Sequence, residues 1–512
     1  MAVAVGVACV AFLAAVARHT RYGSSDNANA LLAGQAMFHG NPLLRDWDMP
    51  HNSYWLLDLP IFGVASAMFG VGDRLLAAVP AAIATAAIAA GSVIAVMGRP
   101  PAKHWWVGAA LVFILLGLPH RHLGLFLLQG PHHVATVVGC LVAFALLAGA
   151  GFGGARWAAA AAVLAVIAHS DPMAIAVGIL PVAAAGLVDG VRNRSLGALV
   201  GPVTAAAAGI GGAVLLGLLL RLGGGYTPLP DPPTMVAWPE NLRATPRILG
   251  SLLGVGTGAG LEGGALVAHV VGSGLFVAGI AASVVGSVAD LIRRVEREEG
   301  GGRLRGARVS RRWLDDVLLL SCAAGAALFA LLSDPELQVV NARYLLAPLI
   351  FGAVLAARRA VDAAAHLPAG TLAVGVVALA AAYGMSPLST VRAPAPENPA
   401  VAVADWLAGR GLHHGYGQYW VAGLTTVSGR GTVAVRPVKE VDGTLRANIH
   451  FASRRWFGGD RPFRFVVVDP AHPGGVEESV TVATFGPPAE ARDIGPYRVL
   501  VWDRDLAVPV DR

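Results

Sequence analysis

Long apolar runs without charge, recurring from residue 2 to residue 385, are the feature that most restricts what this chain can fold into. They fall near 2–17, 74–97, 104–122, 132–151, 155–169, 172–188, 196–220, 264–291, 313–332, 343–358 and 368–385. A helix crossing a bilayer needs about 20 such residues. In lipid the backbone must satisfy its own hydrogen bonds, which leaves helices or closed barrels. Composition agrees: 55% of residues are hydrophobic and 14% charged, against roughly 25% charged in a soluble domain. The expectation is a mainly α membrane protein with about eleven transmembrane helices.

Charge sets the expected orientation. Arg99 and Lys103 follow the second run, Arg156 the fourth, and Arg192 and Arg194 the sixth. A cluster from Arg293 to Arg312 separates the eighth from the ninth, and Arg358 and Arg359 follow the tenth. All fall on one side, which the positive-inside rule makes cytoplasmic together with the N-terminus. With an odd number of spans the C-terminus lies outside, in a bacterial plasma membrane. The formal charge of +6 is therefore topological and implies no nucleic acid. Arginine is used almost to the exclusion of lysine, a bias that fits a GC-rich, actinobacterial-type genome. Cys9, Cys140 and Cys322 sit in apolar runs with no disulfide or metal-ligand spacing. The first run is short, and nothing basic precedes it as a signal peptide would require, so it reads as an uncleaved helix.

After Pro387 the composition changes, and the Ala393-Pro394-Ala395-Pro396 stretch breaks any helix. This divides the chain into a polytopic unit, 1–386, and a small extracytoplasmic α/β domain, 387–512. Strands are expected at 432–438, 463–469 and 497–503, which are rich in β-branched and aromatic residues. Two outer loops are long, 18–73 and roughly 222–263. The second contains a Gly/Pro-rich stretch, 224–239, and then a segment, 240–254, that suits an interfacial helix.

The first loop carries the most information. Ser25 can cap a helix over about 26–38, with Ala28, Leu31, Leu32, Gln35 and Phe38 on one face and Gly40 at its end. Asp26 then sits in its first turn, where a carboxylate is favoured by the helix dipole for structural reasons alone. A second amphipathic stretch spans Tyr54 to Phe69, so the loop should lie along the membrane surface. This arrangement, with Asp26, Leu31-Leu32-Ala33-Gly34, Gly40-Asn41-Pro42-Leu43-Leu44, Tyr54-Trp55, Pro60 and Phe69-Gly70, resembles the GT-C superfamily of polytopic glycosyltransferases. The resemblance implies a polyprenyl-phosphate sugar donor, a cell-envelope glycan, lipid or protein acceptor on the outer face, and Asp26 as the base or as the group that positions the acceptor. It also implies a phosphate-binding role for Arg343-Tyr344 at the outer end of the tenth run. Many members carry paired acids in this loop, whereas Asn27 follows Asp26 here, so a divalent cation stays open.

Other candidates have ordinary structural readings beside the functional one. Arg343 can snorkel to headgroups. His132 and His133 point about 100° apart on a helix and cannot easily share a metal; either can line a substrate cavity. Asp171 can cap the helix that Pro172 begins. Asp58 lies in an apolar stretch, where a carboxylate is costly unless it meets water or a partner, and it ranks above Asp48. In the C-terminal part, His413 to Trp420 reads as a Gly-containing turn, either an acceptor-binding or lid element that brings Tyr416 and Trp420 over the membrane cavity or equally a packed turn in a small domain; Arg454-Arg455-Trp456-Phe457 reads similarly, with membrane-surface contact as a third option. A transporter or flippase, or a non-catalytic envelope assembly protein of the same fold, is the competing class. Few charges within the runs and no evident internal repeat count against transport.

Overall fold

The computed structural model of the chain describes residues 2–98, 104–148, 153–194, 196–229, 238–256, 260–296, 312–332, 338–458, 461–472 and 475–510. Arg99, Lys103, the stretch 230–237, Gly300 to Gly302 and the arginines at 297, 303, 305, 308 and 311 lie outside the described residues.

The membrane part begins with α1 (Ala2–Thr20), α2 (Ser25–Phe38), β1 (Trp47–Met49), α3 (Asp58–Phe69) and α4 (Asp73–Val96). Next come α5 (Trp106–Val112), continued as a π-helical turn to Gly117, then α6 (Arg121–Leu127), α7 (Val134–Leu147) and α8 (Ala155–Ser170). A second π turn (Ile175–Ile179) leads into α9 (Leu180–Asn193), followed by α10 (Leu196–Leu222), β2 (Thr227–Pro228), α11 (Trp238–Leu252) and α12 (Gly263–Glu296). The part closes with α13 (Trp313–Leu332), α14 (Gln338–Asn341), a 3-10 turn (Ala342–Leu345), α15 (Leu346–Ala364) and α16 (Ala369–Arg392).

Every expected apolar run is helical over most of its described residues, and the chain is a multi-pass membrane protein. Eight helices among the described residues are long and apolar enough to cross a bilayer. A ninth span results if α5, with its π turn, and α6, which meet at 91°, are taken as one. The expected count of eleven also included α7 and α8, but these have 14 and 16 residues, short of the roughly 20 a straight crossing needs.

The last helix also differs from expectation. It runs through Pro387 to Arg392. Proline removes its own N–H and crowds the carbonyl one turn earlier, and a membrane helix absorbs that when its neighbours re-satisfy the freed carbonyl. The break comes instead at Ala393, whose carbonyl bonds His19 Nδ1 at the end of α1 (2.8 Å).

Several arginines counted toward orientation are buried in ion pairs, not turned to headgroups. Arg192 pairs with Asp316 (2.6 Å), and Arg358 with Asp315 (2.5 Å). Arg358 also donates to the carbonyls of Ile94 and Met97 at the end of α4. The partners, at the start of α13, sit five residues or fewer after Arg311, so the sequence pattern merges them with the adjoining basic loop. These pairs lock the ends of α4, α9, α13 and α15 together. A charge in such a place is tolerable only when paired.

The C-terminal part contains α17 (Pro399–Gly409), β3 (His414–Gln418), α18 (Tyr419–Ser428), β4 (Ala434–Val441), β5 (Thr444–Ala447), β6 (Ala452–Ser453), β7 (Phe465–Val468), α19 (Glu478–Phe485), β8 (Glu490–Ile494) and β9 (Tyr497–Val501). Six strands form one sheet in the order β5-β4-β3-β7-β9-β8, with β3 parallel to β4 and β7 and the remaining pairs antiparallel. All three expected strands are present as β4, β7 and β9. The stretch expected as a Gly-containing turn is the central strand β3 followed directly by α18.

A second, three-stranded sheet joins distant parts of the chain. β1 of the first long loop pairs parallel with β2 of the second and antiparallel with β6 of the C-terminal part. Arg454 donates to both oxygens of the buried Asp48 (2.6 and 2.9 Å), and Trp47 meets Trp456 edge to face at 4.9 Å. Asp48 and the Arg454–Trp456 stretch are therefore a docking contact between the loop and the C-terminal part.

Candidate active site

α2 places Asp26. Its N-cap is Ser24, one residue earlier than expected, whose side chain accepts from the Asn27 N–H (3.3 Å). Gly40 closes the turn after the helix at φ +92°, in the region that favours glycine. The helix is not amphipathic along its length. From Ser25 to Gly34 almost every side chain is buried, while Gln35 and Phe38 are not. The cause is a sandwich: α3 packs on one side and α18 covers the other. Gly34 and Gly63 allow the close approach of α2 to α3, because a Cβ at either would fall within 2.7 Å of the other helix's backbone.

Asn27 explains why a second acid is not beside Asp26. It is fully buried, donates to the Leu76 carbonyl (3.0 Å) and accepts from the Gly130 N–H (3.0 Å). A carboxylate there would lack the donor that Leu76 requires. Asn27 clamps α2 to α4 and to the turn before α7, and the neighbouring side chain is left to face open space.

That space is a cavity of about 430 Å³. Asp26, Tyr54, His133, Arg343 and Tyr344 line it, and the rim includes His51 and Asn52 of the first loop and His450 and Phe451 beside β6. Asp26 and Arg343, read separately from the sequence, thus share one chamber. The Tyr419 hydroxyl, at the first residue of α18, donates to Asp26 Oδ1 (2.6 Å). Burial, and then the Asp26 charge, push the Tyr419 phenol well above its ordinary value, so it stays a donor. Arg343 lies in the 3-10 turn that opens α15, over the Tyr344 ring at 5.3 Å, and its Nε has no partner among the described residues. A guanidinium held in this way has a fork of donors ready for an anion.

His133 forms the adjacent wall. It caps α7 with φ +66°, and its ring lies 5.1 Å from that of Tyr344. Nδ1 contacts Asp171 Oδ2 at 2.7 Å; because a carboxylate only accepts, Nδ1 carries the proton. Nε2 has no partner among the described residues. Asp171 also accepts from Thr136 (2.5 Å) and from the Met173 N–H (3.1 Å). It therefore has the expected capping role and a second one, fixing the His133 ring.

The other sequence candidates lie elsewhere. Asp58 is buried behind the cavity, with Oδ2 unpartnered among the described residues. Burial first, then the Asp171 carboxylate, push it up to about 7. His132 turns away and bonds the Phe126 carbonyl (3.1 Å). Tyr416 is in the core of the six-stranded sheet, stacked on Phe463 at 4.6 Å. Trp420 is 44% exposed and stacks on His472 at 5.1 Å. Neither reaches the cavity, because β3 ends at Gln418 and the next residue, Tyr419, is the one that α18 turns toward α2. The aromatic pair at a strand-to-helix junction was the available signal. Among the described residues no group of three His, Cys, Asp or Glu side chains is placed to hold a metal ion.

The architecture matches the GT-C fold: a polytopic helical bundle, surface helices in the first outer loop and a small C-terminal sheet unit. Two solved structures of ArnT from Cupriavidus metallidurans share it. The apo form aligns over 97% of this chain and 97% of its own, with a TM-score of 0.55 and 12% identity. The form bound to undecaprenyl phosphate aligns over 99% of each chain, with a TM-score of 0.51 and 12% identity. Neither a protein-family model nor a curated protein matches the sequence.

Proposed function

We propose that this protein is a membrane glycosyltransferase that moves a sugar from a polyprenyl-phosphate donor to a cell-envelope acceptor. The observation that carries the reading is the shared cavity of Asp26 and Arg343. One group is a carboxylate able to take a proton; the other is a guanidinium able to hold a phosphate. ArnT, of the same fold, has been solved with undecaprenyl phosphate bound, which supports the donor class.

In the reaction the bond from the anomeric carbon to the phosphate oxygen breaks, and the phosphate leaves with the electron pair. The acceptor oxygen forms the new bond and passes its proton to the Asp26 carboxylate. Such a transfer inverts configuration and runs through an oxocarbenium-like state. A lipid phosphate needs no general acid to leave, but it needs a cation, and Arg343 offers bidentate donors. Tyr419 holds Oδ1 of Asp26, which leaves Oδ2 for the acceptor. The reading divides the chain into a membrane unit, 1–386, and a C-terminal unit, 387–512, with a cytoplasmic N-terminus and the cavity on the outer face.

The test is transfer by the purified chain from a panel of radiolabelled polyprenyl-phosphate sugars to membrane acceptors. Wild type should transfer and Asp26→Asn should not. Transfer that survives the substitution removes Asp26 as the base. Absence of transfer together with substrate-dependent flux in proteoliposomes would replace the reading with transport.

A further inference from the structure

Asp26 lines the catalytic cavity; its neighbour Asn27 lines a different one, of about 200 Å³. Arg18 and Arg21 at the end of α1 and Arg74 in the first turn of α4 face this second space. None of the three has an ion-pair partner among the described residues. One carboxylate is present, Asp73, and it accepts from the Ser428 hydroxyl (2.9 Å). Three guanidiniums against one carboxylate leave the space cationic. Gln129 also lines it, 7% exposed, with its amide nitrogen unpartnered among the described residues. A buried N–H donor without an acceptor is costly, and this one sits where an anion would supply the acceptor. The N-cap of α4 is Gly72, which has no side chain to cap the first turn; the Leu75 N–H is taken by the Gly72 carbonyl (3.0 Å), and the positive end of the helix still favours a phosphate nearby.

Asp73 and Arg74 belong to a third space as well, an apolar groove of about 990 Å³ between α3 and α4. Its walls include Val64, Met68, Phe69, Ala78 and Ala82. Met68 and Phe69 are 68% and 73% exposed. Cationic cavity and apolar groove thus meet at one residue pair, at the end of a membrane-crossing helix. The matching ligand has a negative head and a hydrocarbon chain. A free phosphate would leave the groove unused, and a neutral lipid would leave the arginines and Gln129 unanswered.

We propose that the two spaces together bind one anionic phospholipid, its phosphate among Arg18, Arg21, Arg74 and Gln129 and an acyl chain in the groove between α3 and α4. The site is separate from the chamber of Asp26 and Arg343, and it stands whether or not the chain transfers sugar.

The experiment is native mass spectrometry of the full chain released from nanodiscs of equal phosphatidylglycerol and phosphatidylcholine content. Wild type should retain one phosphatidylglycerol in preference. Replacing all three arginines (Arg18→Gln, Arg21→Gln, Arg74→Gln) should abolish the preference, each contributing about fivefold, the effect of one basic residue near an anionic lipid surface. Ala78→Trp, which fills the groove and spares the arginines, should lose the lipid too. If the triple variant does not fold, Gln129→Ala and Ala78→Trp carry the test singly. Asp26→Asn should retain the lipid, which separates this site from the catalytic one. Equal retention of both lipids, retention by the variants, or displacement by glycerol phosphate at the lipid's own concentration would overturn the proposal.

Discussion

The Tyr419 hydroxyl donates to Asp26 Oδ1 at 2.6 Å, across 393 residues of sequence. One link therefore ties the C-terminal part to the candidate base. A hydrogen bond to a charged group contributes about 1.5–3 kcal/mol. Tyr419→Phe should lower transfer roughly tenfold or more while donor binding stays intact, since the phenol's hydrogen bond goes to Asp26. Steady-state kinetics separates the two: kcat falls and the donor KM holds. An unchanged kcat would make Tyr419 a packing residue only.

Asp26 and Arg343 should fail in different ways. Loss of a general base costs about 10²–10⁴ in rate, so Asp26→Asn should retain the donor and lose transfer. Arg343→Lys keeps the charge but not the bidentate fork, and it should raise the donor KM while leaving measurable turnover. Donor binding and turnover measured on the same preparations distinguish these outcomes.

Asp58 makes stability depend on pH. Burial first, then the Asp171 charge, raise its carboxyl from the ordinary value of 3.8 to about 7 in the folded chain. A raised carboxyl favours folding while it is protonated, so that stability is full below about pH 4 and is lost as pH rises through 7. The thermal midpoint should fall between pH 4 and 7 for this reason. Asp58→Asn, which cannot ionise, should flatten that slope and be the more stable form at pH 8. A slope unchanged by the substitution would place the titration elsewhere.

The buried pair of Arg358 and Asp315 should be intolerant of one-sided change. Asp315→Ala leaves Arg358 charged among apolar helices, at a cost of about 3–5 kcal/mol. Replacing both with apolar residues of similar size should recover much of the loss. Thermal unfolding in detergent, read by size exclusion, checks both variants; equal loss in the single and double variants would argue against a charge effect.

How much of this was legible in the sequence follows from the range of the forces involved. Apolar length marks a membrane helix residue by residue, so the runs were found and only the short α7 and α8 and the bent α5–α6 pair stayed ambiguous. Asp26 and Arg343 could be nominated from the sequence because each lies at an element's end beside a distinctive local pattern, and both line one cavity. Strand β3 was missed because glycine at 415 and 417 reads as a turn. In the sheet these glycines are required by packing: a Cβ at 415 would meet the Phe465 ring at 2.3 Å, and one at 417 would meet Val435 at 2.9 Å. Tyr419 was missed for the related reason that its partner is far away in the chain. The ion pairs of Arg192 and Arg358 were not foreseen, because charge counting cannot tell a headgroup contact from a buried pair.

The small sheet of β1, β2 and β6 sets an order of events during synthesis. Its first strand leaves the ribosome about four hundred residues before its last. Until β6 and the adjoining His450 and Phe451 arrive, Asp48 has no arginine and the cavity of Asp26 and Arg343 lacks part of its rim. A nascent chain can therefore occupy the membrane as a nearly finished bundle and still be unable to close around a substrate. The cavity of Asp26 and Arg343 is complete only when the final segment docks, so translation itself sets when the proposed site can form.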